Sequence, residues 1–258
     1  MEIHFYKYQG AGNDFIMIDN RDKKHALSQV QIEQLCDRRF GIGADGLILL
    51  DNCVGVDFQM NYYNADGFLG SMCGNGGRCV VAFAKKIGII KDQCTFMAFD
   101  GIHKAVCEEN GLVSLQMIDV EVVEVMNGAW HLDTGSPHLV YFKDNIAEID
   151  VQEAGASIRY SEHFNAEGIN VNFAERIGDE LFVRTYERGV EAETLACGTG
   201  ATAVAIAAFE SGLISENCVN LNVKGGTLMV SFKVSNDSYQ DVHLLGDARI
   251  VYSGEINV

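Results

Sequence analysis

Two segments of the 258-residue chain repeat each other in register. MCGNGGRC occupies residues 72–79 and ACGTGATA residues 196–203, so Cys73 and Cys197 each stand before a Gly-x-Gly and a helix-forming run. An alternating, strand-like segment precedes each cysteine. The same intervals then lead to a glycine that can end a helix and to a cysteine that opens the next strand (Gly88 and Cys94; Gly212 and Cys218). Agreement in register at these points indicates an internal duplication.

The duplication predicts an α+β fold of two pseudo-symmetric halves, each a curled, mostly antiparallel sheet around one central helix. The two helices that follow Cys73 and Cys197 carry small or apolar residues nearly all round, which is typical of buried helices. A further helix is predicted at residues 28–39, where Ser28 and Gln31 form a capping-box pattern.

We place the boundary between the halves near residue 118. Residues 1–118, joined by the tail 247–258, form the half that carries Cys73, and residues 119–246 form the half that carries Cys197. By symmetry, the two repeated segments are expected to face each other across a cleft between the halves, with the active site in that cleft.

Composition excludes several functional classes. The formal net charge of −17 argues against nucleic acid and anionic membranes as partners, since both favour basic surfaces. No segment has the apolar length of a membrane span, and the N-terminus carries no secretory pattern. The eight cysteines are therefore expected to be free thiols in a reducing cytoplasm. None has the C-x-x-C spacing, so no structural metal is expected.

A cysteine at a helix start has a chemical use. The unpaired N–H groups and the partial positive charge of a helix N-terminus favour a thiolate. Glycines leave the N–H groups of Gly74–Asn75 and Gly198–Thr199 open to a small anion. Each half therefore offers a thiol beside an anion-binding turn.

Two such sites suggest inversion of a stereocentre. If the carboxylate of an amino acid lies between the two helix starts, its α-carbon has one sulfur on each face. A thiolate on one side can remove the α-proton while a thiol on the other side delivers one, and the N–H groups stabilise the charge that develops on the carboxylate. Such a pair needs one thiolate and one thiol, so its titration is coupled.

Eight blocks along nearly the whole chain resemble one family. In order they are GAGNDFIMID, CDRRFGIGADGL, YYNADG, MCGNGGRC, TGSPH, GINVNF, YERG and ACGTGA. Their order and spacing resemble the diaminopimelate epimerases, which are cofactor-independent two-cysteine epimerases. The resemblance implies two halves with barrel-like sheets around central helices, in a homodimer. It also implies interconversion of the LL and meso forms of 2,6-diaminoheptanedioate, in lysine and peptidoglycan precursor synthesis, with no metal or cofactor.

The resemblance assigns roles to individual positions. Cys73 and Cys197 match the acid/base pair, and Gly74–Asn75 and Gly198–Thr199 match the segments that bind the substrate α-carboxylate. Further substrate contacts, largely at the distal amino-acid end, are implied for Asn13, Asn64, Asn170, Glu187 and Arg188. The positions of His138 and Glu187 lie close to the two thiols in the family, where they help to tune the pKa values of those thiols.

One departure keeps an alternative open. TGSPH has Ser136 where the family often has Asn at a position that reaches the distal end of the substrate. A racemase of another amino acid on the same scaffold is therefore the second interpretation. A phosphate-binding module is disfavoured because neither glycine-rich turn carries a lysine. A thiol redox protein is disfavoured because the symmetry leaves space for a substrate carbon between the sulfurs. A pyridoxal-phosphate racemase is disfavoured because no lysine is marked as a Schiff-base former.

The remaining cysteines are expected to be packing residues, as buried free cysteines usually are. They are Cys36, Cys53, Cys79, Cys94, Cys107 and Cys218. Asp66 in YYNADG is interpreted as a turn residue and is left out of the site.

Overall fold

The computed structural model describes residues 2–70, 72–236 and 238–258. In its first part the strands are β1 (Glu2–Gly10), β2 (Asn13–Asp19), β3 (Gly46–Asp51), β4 (Phe58–Asn64), β5 (Gln93–Ala98), β6 (Gly101–Cys107) and β7 (Val113–Gln116). In the rest they are β8 (Val123–Met126), β9 (Ala129–Asp133), β10 (Pro137–Phe142), β11 (Asn170–Ile177), β12 (Glu180–Glu187), β13 (Ala192–Thr194), β14 (Cys218–Val223), β15 (Gly226–Ser235), β16 (Ser238–Gly246) and β17 (Arg249–Asn257). The helices are α1 (Gln29–Cys36), α2 (Gly74–Lys86), α3 (Val151–Arg159) and α4 (Gly198–Glu210), with a short 3-10 turn at Ile146–Glu148.

These elements form two compact units. One comprises Met1–Leu115 with Gly246–Val258, and the other comprises Gln116–Leu245. In the first unit the strand order is β17-β1-β2-β3-β4-β5-β6-β7. Successive pairs along this order are antiparallel, antiparallel, parallel, antiparallel, parallel, antiparallel and antiparallel.

The second unit repeats this pattern. Its order is β8-β9-β10-β11-β12-β14-β15-β16, and its pairs follow the same series of antiparallel and parallel contacts. The short strand β13 adds to β12. Helices also recur at the same places, with α1 and α3 in the first parallel crossover of each unit and α2 and α4 in the second. The predicted α+β class is confirmed, and the strand pattern bears out the duplication.

The central helices are α2 and α4, as the sequence predicted. Helix α2 contacts β1, β2, β3, β4, β6 and β17, and α4 contacts β9, β10, β11, β12, β14 and β15. Nearly every residue of α4 is buried, and α2 is buried up to its last turn, where Lys85 and Lys86 are exposed. Strands surround both helices up to their last turn, which explains why the sequences before that turn are small or apolar nearly all round.

Both central helices end in the same motif. Gly88 has a φ of +77° and Gly212 a φ of +71°. After each glycine the next N–H closes a Schellman motif, from Ile89 to the Ala84 carbonyl (2.9 Å) and from Leu213 to the Ala208 carbonyl (3.0 Å). The predicted helix stops are therefore confirmed, because the left-handed backbone that ends each helix favours glycine.

Helix α1 is shorter than predicted. It begins with the expected capping box of Ser28 and Gln31 and ends at Cys36 instead of residue 39. The Asp37 carboxylate accepts the N–H groups of Arg39 and Phe40, each at 2.7 Å, and this local turn competes with further helix. Within the described ranges, none of the helices combines the length and apolar character needed to cross a membrane.

Candidate active site

Cys73 and Cys197 occupy equivalent positions at the starts of the central helices. Each is the N-cap residue, with φ −112° and ψ 117° at Cys73 and φ −117° and ψ 115° at Cys197. The glycine that follows each cysteine, Gly74 or Gly198, is the first helical residue. Both thiols therefore lie at the positive end of a helix macrodipole, beside N–H groups that the helix itself leaves unpaired.

The Cys197 sulfur lies among hydrogen-bond donors. It accepts the Gly200 N–H at 3.4 Å, and the Thr199 hydroxyl lies 3.4 Å from it. Glu187 makes a further hydrogen bond with Cys197 and accepts one from the Thr194 hydroxyl. Burial raises the pKa of Glu187, and these hydrogen bonds partly oppose that rise. A carboxyl group with a raised pKa in direct contact with a thiol can share its proton with the sulfur.

The Cys73 sulfur has different neighbours. It donates to Asn13 Oδ1 at 3.6 Å, and Asn75 Nδ2 donates to the same oxygen at 3.3 Å. Asn75 Oδ1 in turn accepts from the guanidinium of Arg78 at 2.9 Å. Asn13, which lies far from Cys73 and Asn75 in the sequence, is thus brought beside both of them.

Arg78 is a residue of this cluster that the sequence analysis did not single out. Its side chain is fully buried, and it also donates to the backbone carbonyls of Gly74 (3.5 Å) and Asp247 (3.4 Å). Burial lowers the pKa of Arg78, an effect opposed by Cys79, Cys73 and Asp247. The signal in the sequence was an arginine within an otherwise small and apolar helix.

Asn170 and Arg188 form a second polar cluster around Ser136. Asn170 Nδ2 donates to Ser136 Oγ (2.8 Å) and to the Pro137 carbonyl (3.0 Å), while its Oδ1 accepts the Arg188 N–H (3.1 Å). The Arg188 guanidinium donates to Ser136 Oγ (3.3 Å) and to the Glu167 carbonyl (2.8 Å). The serine that departs from the family pattern is therefore an acceptor for both candidate binding residues.

His138 is buried and neutral. Asn172 accepts the Thr185 hydroxyl through Oδ1 at 2.9 Å, so its amide nitrogen faces His138 Nδ1 at 3.1 Å and the Leu139 carbonyl at 3.0 Å. Since Nδ1 then accepts, the ring proton is on Nε2. Burial, with Arg188 and His131, lowers the pKa of His138 to about 3. Its Nε2 is a buried polar atom with no hydrogen-bond partner among the described residues.

Asn64 begins a turn and pairs with Gly46, the residue after Asp45, where β4 lies against β3. It is exposed at the end of β4, its carbonyl accepts the Gly67 N–H at 2.9 Å, and its own N–H donates to the Phe68 carbonyl. The Asp66 carboxylate accepts the Phe68 N–H at 3.1 Å, as expected of a turn residue.

Two cavities and the remaining cysteines lie outside the clusters. A cavity of about 260 Å³ in the first unit is lined by Tyr62, Met72 and Phe99 among others, and one of about 500 Å³ in the second unit by Tyr141 and Phe164. Neither is lined by a cysteine.

Among the residues that the structure describes, no three His, Cys, Asp or Glu side chains form a group able to hold a metal ion. Of the cysteines expected to serve in packing, four are buried and two are not (Cys36, Cys79, Cys94 and Cys107; Cys53 and Cys218).

Comparison with known proteins identifies the family. The model of the family described as diaminopimelate epimerase matches residues 5–124 and 131–251. A diaminopimelate epimerase of Flavobacterium psychrophilum is 53% identical over 256 residues, covering 98% of this chain and 100% of the relative. Another, of Chlorobaculum tepidum, is 45% identical and covers 96% and 99% of the two chains.

Solved structures show the same fold at low sequence identity. A Bacillus anthracis phenazine biosynthesis protein of the PhzF family is 14% identical with a TM-score of 0.77, and the match covers all of both chains. A hydroxyproline epimerase from Agrobacterium vitis is 13% identical with a TM-score of 0.68, over 99% of this chain and 92% of that chain. Together with the matches along the full sequence, these findings show that the chain belongs to the diaminopimelate epimerase family.

Proposed function

We propose that this protein interconverts the LL and meso forms of 2,6-diaminoheptanedioate by inverting one α-carbon, without metal or cofactor. The observation that carries the proposal is the pair of equivalent helix starts, each with a cysteine at the N-cap, in a chain of this family. A mechanism with one acid and one base on opposite faces of a carbon needs two such groups, and the duplication supplies them.

The proposed reaction conserves protons. One of Cys73 and Cys197 is a thiolate that takes the α-proton, and the other is a thiol that gives its proton to the opposite face of the carbon. The two cysteines have then exchanged protonation states, and the reverse reaction runs from that state. N–H groups of Gly74–Asn75 and Gly198–Thr199 stabilise the negative charge that develops on the carboxylate.

Neighbouring residues are proposed to tune the thiols. Glu187, which contacts Cys197 and has a raised pKa, can hold a proton when the sulfur has lost its own. His138 stays neutral at physiological pH because of its burial, so it can donate from Nε2 without adding positive charge.

The distal amino-acid end of the substrate is proposed to bind the polar side chains. Arg188 suits the distal carboxylate because its planar fork can donate two parallel hydrogen bonds. Asn170, already held by Ser136, presents an amide beside it, and Asn13 and Asn64 are proposed as further contacts. A racemase of a different amino acid is the second candidate, favoured only by Ser136.

The setting of the enzyme is also a proposal. We infer a cytoplasmic homodimer that acts in lysine and peptidoglycan precursor synthesis, as the family resemblance implies. Free thiols suit a reducing compartment. The exposed apolar side chains of β17, Val251 and Tyr252 among them, suit an interface.

The test is solvent-deuterium incorporation at the α-carbon of the LL substrate under reducing conditions. Wild type is compared with Cys73→Ser, Cys197→Ser and, as a matched control, Cys218→Ser on the exposed surface. We expect exchange with inversion in wild type and in the control, and loss of inversion in both other variants. Full activity of Cys73→Ser or of Cys197→Ser would refute the two-thiol mechanism. Exchange only with another amino acid would favour the second candidate.

A further inference from the structure

A continuous polar chain lies behind Cys73. It runs from Arg78 through Asn75 and Asn13 to Asp45, and we call these four residues the Cys73 polar chain. Its links are Arg78 Nη2 to Asn75 Oδ1 (2.9 Å), Asn75 Nδ2 to Asn13 Oδ1 (3.3 Å) and Asn13 Nδ2 to Asp45 Oδ2 (2.6 Å). An ionic group stands at each end and an amide at each inner position.

The ionic ends determine how both amides are turned. A guanidinium only donates, so Asn75 must present its oxygen to Arg78 and its NH2 group to Asn13. A carboxylate only accepts, so Asn13 must present its NH2 group to Asp45. Asn13 Oδ1 therefore faces the interior of the cluster, where the Cys73 sulfur lies 3.6 Å away.

A carbonyl oxygen at this position favours the thiol form of Cys73. The S–H group can donate a hydrogen bond to the oxygen, whereas a thiolate would be repelled by the lone pairs of that oxygen. The surroundings of Cys197 differ, since its sulfur accepts the Gly200 N–H and lies beside the Thr199 hydroxyl and the Glu187 carboxyl group. Thr199 and Thr202 stand in the second helix where Asn75 and Arg78 stand in the first.

We propose that Asp45 is a positioning residue which, through the amide of Asn13, keeps a proton acceptor directed at the Cys73 sulfur and so holds Cys73 as the thiol in the free protein. Asp45 does not itself touch the sulfur in this scheme. The assignment rests on the proposed function only in giving Cys73 the role of proton donor to the α-carbon. The protonation state itself is a property of the protein without substrate.

Other charged and titratable groups of this unit surround the Cys73 polar chain. Those around the cluster are Arg78 and Cys79 on α2, Asp14 on β2, Arg38 in the segment before β3, and Asp247 beside Arg78. The Arg78 guanidinium favours a thiolate at Cys73. Because Arg38 pairs with both Asp14 and Asp45, part of their charge is already neutralised. Asp45 acts differently from these groups, because it holds the Asn13 amide from the NH2 side while Asn75 donates to its oxygen.

The experiment measures the alkylation rate of Cys73 against pH by peptide-resolved mass spectrometry, without substrate, using iodoacetamide. Exposed Cys218 is the internal reference thiol in every sample. Removing Asp45 leaves the Asn13 amide held only by Asn75, at 3.3 Å, and so weakens the bond that stabilises the thiol. In Asp45→Ala the midpoint for Cys73 should therefore fall by about half a unit to one unit, as expected for one hydrogen bond to the neutral form. The Asp45 side chain is 43% exposed, so the variant should fold, and Asp45→Ser provides a second test.

A double-mutant cycle separates amide orientation from plain charge. In an Asn13→Leu background the amide is gone, so Asp45→Ala should no longer move the midpoint. An equal shift in both backgrounds would mean that Asp45 acts only as a charge and would overturn the proposal. The proposal would also be overturned if the midpoint for Cys73 alkylation were unchanged or raised in both Asp45→Ala and Asp45→Ser. Measurements in 1 M salt, where exposed charges are largely screened, should leave the shift in place. Because no substrate is present, the outcome is independent of the deuterium-exchange test.

Discussion

Replacing Gly200 by alanine should disturb the second helix start far more than the equivalent change in the first. A Cβ at Gly200 would lie 2.5 Å from Asn172 Oδ1 and 3.3 Å from the Cys197 sulfur. Real Cβ atoms essentially never approach another heavy atom within 3.0 Å. Asn172 is fully buried and bonded to both Thr185 and His138, so it cannot move aside without breaking one of these bonds.

The cost can be estimated from two effects. Leaving a buried polar group without its partner costs about 1–3 kcal/mol, and forcing an extra methyl into a packed site costs about 1–3 kcal/mol. Alanine recovers up to about 1 kcal/mol through its higher helix propensity. We therefore expect the free energy of unfolding to fall by about 3 kcal/mol, which corresponds to a Tm lower by about 6–12 °C.

Gly76→Ala is the matched control, since Gly76 takes the same place after Cys73. Its Cβ would meet apolar side-chain atoms at longer distances, Ile48 Cδ1 at 3.1 Å, Met60 Cε at 3.2 Å and Phe15 Cε1 at 3.4 Å. We expect Gly76→Ala to change the free energy of unfolding by less than about 1 kcal/mol. Both variants are compared by urea unfolding and by thermal melting followed by circular dichroism. If Gly200→Ala is as stable as Gly76→Ala, the packing argument around Asn172 is wrong.

Two further predictions concern charge and substrate binding. Burial alone would raise the pKa of Asp14, but hydrogen bonds from Arg38 and Lys7 outweigh burial and hold this pKa well below its ordinary value. The Asp14 carboxylate therefore stabilises the fold fully above about pH 4, and its contribution is lost as the pH falls. The stability difference between wild type and Asp14→Asn, measured by urea unfolding, should therefore narrow by about 1 kcal/mol from pH 7 to pH 3; an unchanged difference would contradict this linkage. Ser136→Ala removes an acceptor shared by Asn170 and Arg188, so KM for the LL substrate should rise about 2- to 10-fold with little change in kcat. Ser157→Ala, whose hydroxyl bonds within α3, is the control, and equal KM values in the two variants would place Ser136 outside the binding site.

Features coded by one or two residues could be predicted from the sequence. The helix stops at Gly88 and Gly212 depend on a backbone conformation that glycine alone adopts readily, and the cap at Ser28 depends on its own side chain. The fold class could be predicted from the duplication because both copies show the same order of strand, cysteine, helix and terminating glycine. The catalytic and binding roles of the candidate residues remain predictions.

Features that depend on distant segments could not be predicted. Arg78 is buried in a helix although an arginine is usually exposed, and one of its acceptors is the Asp247 carbonyl, 169 residues further along the chain. Asn172 is buried between Val171 and Phe173, so β11 lacks the alternation that would have marked a special polar residue. The link from Asn13 to Asp45 likewise depends on the pairing of β2 with β3, which brings these two distant segments together.

The position of β17 has a consequence for the order of folding. In the second unit, β9 receives its outer neighbour β8 from the residues immediately before it, through a turn at Asn127 and Gly128. In the first unit, β1 receives its outer neighbour from residues 249–257. During synthesis the second unit can therefore assemble before the first one is complete. Until β17 emerges from the ribosome, the outer edge of β1 is unpaired. This edge lies next to the apolar side chains of Ile3 and Phe5, so incorrect strand pairing is favoured there. Among the strands of the first unit, β1 therefore waits longest for one of its partners.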